Sequence, residues 1–110
     1  MQVQAITKNV RMSAQKMREM VRQIQGLSAI QAQNVLRFVP RKSARVVAKT
    51  LDSAIANAEN NNGVKPETLK VKEAVAQTAR TLKRFTPKAR GSAGPILKRS
   101  CHVKIVVSDE

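Results

Sequence analysis

The stretch KRFTPKARGSAGPILKRSCHVKIVV, residues 83–107, contains no acid. Its first part, Lys83 to Arg99, begins and ends on a pair of basic residues and holds two prolines and two glycines between them. Its second part, SCHVKIVV, places Val103, Ile105 and Val107 on one side of an extended chain, the period of a half-buried strand. Upstream, after Pro66, Leu69, Val71 and Val75 alternate with Lys70, Lys72 and Ala74. That pattern predicts a strand from about Thr68. Two strands joined through a basic segment rich in Gly and Pro predict a long β-hairpin, residues 80–100, within a single domain spanning 1–110.

The rest of the chain reads as helices, with one strand before them. QVQAIT, from Gln2, alternates Val3 and Ala5 with Gln2 and Gln4, a short strand. Ser13 has the chemistry of an N-cap, and behind it Met17, Met20, Val21 and Ile24 recur at helical spacing until Gly26. Ser28 opens a second helix, with Gln31 placed for a capping box. Ala32, Val35 and Leu36 form its stripe and Pro40 ends it. A third helix begins after Pro40, with Ala44, Val47, Ala48, Leu51, Ile55 and Ala58 on one face and the run Asn60 to Gly63 closing it. Arg41, Lys42, Arg45 and Lys49 crowd its first half, where the helix dipole prefers acids. A local rule broken in this way often marks a functional surface.

Charge narrows the function. The chain has 110 residues, 21 Lys and Arg against 7 Asp and Glu, and a formal charge of +14. A globule this small repels itself unless a polyanion neutralises it, and nucleic acid supplies the densest phosphate charge. A merely solvated surface would mix both signs more evenly. The acids are absent from Ala74 to Ser108, where Arg80, Lys83, Arg84, Lys88, Arg90, Lys98, Arg99 and Lys104 fall. Arms of about ten residues at roughly 3.3 Å each carry a tip about 30 Å from the body. A two-stranded ribbon is marginal alone, so this one needs a partner. Phosphate fits: Arg grips it bidentately and Lys as a point charge, while Gly91 and Gly94 admit close backbone approach. The bland alternative is a disordered basic loop. Phe38 and Phe85 are the only aromatics. Readers of single-stranded RNA stack bases on aromatic rings, so recognition here is expected through shape and backbone.

These residues resemble a family. KRFTPKARGSAGPILKRSCHVKIVVSD is similar to the C-terminal segment of bacterial large-subunit ribosomal proteins of the number twenty-two family. Lys83, Arg84, Pro87, Ala89, Arg90, Gly91, Ala93, Ile96, Lys98, Arg99 and His102 match its pattern, and SAQKMR and LDSAIANAENNNG resemble the same family. The resemblance implies an α+β fold: three helices packed on a small three-stranded antiparallel sheet, with a long protruding basic β-hairpin. It implies a structural constituent of the large ribosomal subunit that binds ribosomal RNA, supports assembly, and lines the nascent-polypeptide exit tunnel with its hairpin. The implied partners are large-subunit ribosomal RNA, neighbouring ribosomal proteins and the nascent peptide. A link to macrolide susceptibility is also implied. The resemblance implies RNA contacts at the flanking basic pairs Lys83, Arg84, Lys98 and Arg99; charge alone adds Arg80, Lys88 and Arg90 in the same segment, and Lys16, Arg18, Arg22, Arg41 and Lys42 on the body, as further candidate RNA contacts. The implied tunnel-lining tip is Pro87, Lys88, Ala89, Arg90, Gly91, Ser92 and Ala93. Ser92 stands for a usual basic residue there, Lys88 for a usual Arg, and Gly94 and Pro95 for usual polar or charged residues. Ala79 and Arg80 replace a common Gly-Pro before the hairpin.

Competing chemistries find little support in the residues. Cys101 and His102 are the only Cys and His, too few for a metal site of three or four ligands. Adjacent on a strand, they point to opposite faces, which does not make a catalytic dyad. The acids Asp52, Glu59, Glu67 and Glu73 form no pair for acid–base work. RGSAG is too short for a phosphate loop and lacks its strand–helix context. The expectation is therefore no enzyme, no cofactor and no metal. The N-terminus lacks a signal peptide's apolar run, no segment approaches a membrane span, and a lone Cys fits a reducing compartment, so the cytoplasm is the expected location, and the resemblance implies its ribosomes. Too few bulky apolar residues oppose the basic faces for a membrane-surface protein. A free architectural nucleic-acid-binding protein using the ribbon in a DNA groove is the alternative. No homo-oligomer is expected in the favoured reading.

Overall fold

The computed structural model describes residues 2–87 and 93–109, with backbone only for the side-chain positions 82–97 that fall within it. The elements run β1 (Gln2–Val10), α1 (Ala14–Ile24), α2 (Ala29–Phe38), α3 (Lys42–Asn62), a single 3-10 turn (Pro66–Thr68), β2 (Lys70–Thr78), β3 (Leu82–Pro87), β4 (Ala93–Lys98) and β5 (Cys101–Ser108). The fold is α+β. One antiparallel sheet has the order β1-β5-β2, and β3 and β4 pair separately with each other.

Capping chemistry places the helices where the serines stand. Ser13 Oγ accepts from Lys16 N at 3.4 Å and Ser28 Oγ accepts from Gln31 N at 3.3 Å. The apolar stripe of α1 is fully covered: Met17, Met20 and Ile24 expose nothing and Val21 almost nothing. Each such side chain contributes about 1.5–3 kcal/mol relative to exposure. Helix α1 packs over β2, and α3 packs over β1 and β5 and against α2. The small residues Ala44, Ala54 and Ala58 are buried within α3 and let its backbone approach its neighbours closely. Helix α3 ends at Gly63, whose φ of +66° is left-handed. Gly26 also has a positive φ, +88°. It turns the α1–α2 link so that Gly26 N donates to Val71 O at 2.9 Å and Val71 N to Leu27 O at 2.8 Å. Ala29 N adds a bond to Leu69 O at 2.9 Å. The link thus covers part of the otherwise open edge of β2.

The central strand β5 behaves as its pattern predicts: Val103, Ile105 and Val107 are fully buried, with Cys101 on the same side. Strand β2 does not. Between Val71 and Glu73 it advances two residues while β5 advances one, from Val107 to Val106. This bulge at Lys72 reverses the alternation. Leu69 and Val71 face the core as expected, but beyond the bulge Ala74 and Ala76 are the buried residues and Val75 is only half-covered. The expected face of Val75 and Ala74 is therefore corrected.

A second bulge lies in β1, which is longer than expected. From Thr7 to Val10 it takes three steps against two on β5, from Val103 to Cys101. Asn9 sits there with φ +58°. Its N–H, displaced from the ladder, donates to Nδ1 of His102 at 3.0 Å. His102 therefore serves a backbone donor, which accounts for its place beside Cys101 without metal or nucleophile.

A third irregularity joins the sheet to the ribbon. Thr78 pairs with Cys101, Ala79 N donates to Ser100 O at 3.0 Å, and Leu82 pairs with Lys98. Four steps on one strand match three on the other, so an extra residue lies around Arg80 and Thr81, where the ladder of the sheet gives way to that of the ribbon. The principal extents are 63 × 26 × 17 Å and the radius of gyration is 17.0 Å. A compact chain of this length would have about 13 Å.

Candidate nucleic-acid interface

The β3–β4 register sets the basic residues of the ribbon. Leu82 is opposite Lys98, Lys83 opposite Leu97, and Arg84 opposite Ile96. The two basic pairs, Lys83–Arg84 and Lys98–Arg99, are sixteen positions apart at their outer ends in sequence, yet the ladder brings both to the same end of the ribbon, where it leaves the body. Lys98, Arg99 and Arg80 are exposed there. For Lys83 and Arg84 the backbone position is what the structure describes.

Arg18 reaches this root from α1. Its Nε donates to Ala76 O at 3.2 Å, so the guanidinium stem lies along β2. Arg18 and Arg99 line one concavity of about 270 Å³ together with Ser13, Gln15, Thr78, Thr81 and Ser100. Two arginines and several hydroxyl-bearing residues, carried on a helix, one strand and three links, line the same open space. Such a set of donors suits a phosphate: charge from Arg, short hydrogen bonds from Ser and Thr. Arg22, one turn beyond Arg18, continues the same side of α1 and lines a neighbouring hollow with Val21, Ala74 and Val75.

Lys16 belongs to a different surface. It lines a groove with Met12, Glu19, Arg41, Lys42 and Ser43, between α1 and the start of α3. Arg41 Nη1 bonds Glu19 Oε2 at 3.0 Å, with both side chains more than half exposed. An exposed pair of this kind contributes at most about 1 kcal/mol. Its effect is to orient Arg41. Lys42 Nζ reaches Arg11 O at 3.5 Å. Helix α3 has no acid in its first turn and no side-chain cap. Arg41, Lys42, Arg45 and Lys49 are all exposed.

The predicted body cations thus divide into two groups: Arg18 and Arg22 with the ribbon root, and Lys16, Arg41 and Lys42 in the inter-helix groove. Of the predicted tip, Lys88, Ala89, Arg90, Gly91 and Ser92 lie outside the described residues. Pro87 and Ala93 form the last described rung, paired with each other. Sequence reading missed the hydroxyls of Ser13, Thr78, Thr81 and Ser100 at the root. Ser13 was legible only as a cap, and the others gave no periodic signal. Arg11 and Arg37, both exposed, were also passed over.

Among the described residues no group of three or more His, Cys, Asp or Glu could hold a metal ion, and no helix is long and apolar enough to cross a membrane. No buried side-chain nitrogen or oxygen among them lacks a hydrogen-bond partner. Burial pushes the Cys101 thiol above its ordinary value of 9.0, which disfavours the thiolate.

A small α+β body with cationic side chains at the root of a paired ribbon is a surface whose chemistry suits a polyanion, and the described residues assemble no catalytic group beside it. Comparison with known proteins specifies which kind of protein carries it. The family model described as ribosomal protein L22p/L17e matches residues 5–108, and the chain belongs to this family. It is 52% identical over 109 residues to the large ribosomal subunit protein uL22 of Opitutus terrae, covering 99% of this chain and 96% of that protein. It is 44% identical over 110 residues to the large ribosomal subunit protein uL22 of Akkermansia muciniphila, covering 100% and 98%. Membership identifies a structural ribosomal component rather than an enzyme.

Proposed function

We propose that the chain is a structural constituent of the large ribosomal subunit of the cytoplasmic ribosome and holds its place there by binding ribosomal RNA. The observation that carries the RNA-binding reading is the root of the ribbon. There the ladder register gathers Lys98 and Arg99 with the Lys83–Arg84 backbone, and Arg18 and Arg99 line one hydroxyl-rich concavity. Lys16, Arg41 and Lys42 provide a second contact on the far side of α1. Arg80 and Arg22 extend the first. Two separate cationic surfaces allow one small body to join different RNA segments, which is how such a protein supports subunit assembly.

Residues 80–100 act as the extended part of a single domain, 1–110. The ribbon runs inward and its tip, Pro87 to Ala93, lines the exit tunnel and meets the nascent peptide, with Lys88 and Arg90 on RNA. Support for this comes from the elongated shape and from family membership. Neighbouring ribosomal proteins complete the surroundings, and no second copy of the chain is required.

The test is co-sedimentation of a tagged full chain with ribosomes after a high-salt wash, beside a chain lacking residues 83–99 and the double variant Arg18→Ala/Arg99→Ala. The full chain is expected to stay on the large subunit and the double variant to leave at lower salt. With isolated RNA, each lost phosphate contact should shallow the salt dependence by somewhat less than one unit of log–log slope. Unchanged slope and retention in the double variant would remove the root from the RNA-binding surface. Preferential recovery of the full chain with DNA would instead support an architectural DNA-binding role.

A further inference from the structure

We infer that Phe38 is a stacking platform for one unpaired RNA base, a contact distinct from the phosphate grip described above and resting on the RNA-binding reading. Phe38 is the last residue of α2 and is 85% exposed. The next most exposed large apolar side chains among the described residues are Ile6 at 46% and Ile30 at 41%. The chain has two aromatic residues in all, and its core is closed by Met, Ile, Leu, Val and Ala. One of the two rings is therefore kept on the body's surface while smaller residues fill the interior.

The mount is rigid. Helix α2 carries the ring at its end, Val39 packs against the core, and Pro40 fixes the backbone beyond. A ring presented on a fixed post loses little freedom when a flat partner covers it.

Charge chooses the partner. Between Glu19, which holds Arg41, and Asp52, which accepts from Gln33 of α2, the sequence has no acid, while Arg37, Lys42, Arg45 and Lys49 are exposed within that span. An apolar protein partner would have to meet this field with acids of its own. RNA meets it with phosphate and offers a flat base to the ring. Asn34, exposed one helical turn before Phe38, has the amide needed to read a base edge. Stacking tolerates any base, so the contact selects an unpaired nucleotide rather than a sequence.

The absence of Trp and Tyr makes the test direct. Phe38→Trp in the full chain introduces a single indole at the site. Its emission is followed during titration with the isolated large-subunit ribosomal RNA, with RNA retention measured on a filter in parallel. Strong quenching that saturates with retention is expected, because a stacked base quenches indole. Phe38→Leu, which keeps apolar bulk and removes the aromatic face, should lower RNA affinity on the order of tenfold with no change in thermal melting. Retention with undiminished emission, or with Phe38→Leu binding at wild-type strength, overturns the proposal. A blue shift without quenching that arises only when ribosomal proteins are added would assign the ring to a protein neighbour and overturn it as well. If the wild-type chain fails to retain RNA at all, the RNA-binding reading fails and this inference with it; normal retention with no quenching fails this inference alone.

Discussion

The hydroxyl of Thr7 on β1 donates to the hydroxyl of Thr50 on α3, with the two oxygens 2.7 Å apart. The direction follows from Thr50, whose own proton is already given to Val46 O at 2.9 Å. The pair ties the helix to an outer strand of the sheet through a relay of two hydroxyls, the inner one buried. Replacing either residue by Val keeps the shape and breaks the link. Each single change should cost about 1 kcal/mol, and the double change about the same as one, giving a coupling near 1 kcal/mol. Urea unfolding of the four proteins measures this. Simple additivity would show that the two hydroxyls do not act together.

Gly63 ends α3 with its N–H bonded to Glu59 O at 3.1 Å and with Val64 N bonded to Ala58 O at 3.3 Å. A Cβ placed on Gly63 meets nothing within 4 Å, so its substitution is a question of backbone alone. Gly63→Ala should cost about 1–2 kcal/mol through the left-handed φ, and Gly63→Asn less. Thermal unfolding would give the order Gly, Asn, Ala. An Ala variant as stable as the parent would mean that the helix end relaxes to another cap.

Cys101 is fully buried on the central strand, and its thiol is held above 9.0 by desolvation. Above about pH 9 the unfolded chain releases this proton while the folded chain keeps it. The unfolded state then binds fewer protons, so stability falls as pH rises from there toward the folded value. The measurement is the difference in pH slope between the parent and Cys101→Ala, since lysines contribute to both. The parent should be the steeper above pH 9, by at most about 1.4 kcal/mol per pH unit. Iodoacetamide should label the native thiol far more slowly than the unfolded one. Equal slopes and fast native labelling would place the sulfur in contact with water.

Much of the body was legible because short-range chemistry decided it. Ser13 and Ser28 cap the helices they precede, and the Met17–Ile24 stripe is buried as its spacing requires. What was lost depends on pairing. Nothing in KVKEAV distinguishes a regular strand from one that bulges at Lys72, because the bulge is set by how β5 meets β2. The same holds for Asn9, whose N–H finds His102 across the sheet. At the interface, composition named the cations but could not sort them. Arg18 and Lys16 are two residues apart and serve opposite sides of α1. Arg18 meets Arg99, eighty-one positions later, only through the antiparallel return of the chain.

Strand β5 lies between β1 and β2 yet follows both in the chain. During synthesis the two outer strands are made first and have no partner in this sheet until Cys101 to Ser108 has been added. Closure of the sheet is then a late step, in which one segment pairs with both outer strands and covers the stripes of α1 and α3. A chain halted before Cys101 would carry most of its apolar residues and all of its helices but not the strand that joins them. Such a product would expose two unpaired strands together and be a substrate for chaperones and proteases rather than for assembly. Because the strand that joins the sheet follows both of its partners in the chain, the body cannot close until that strand has been made.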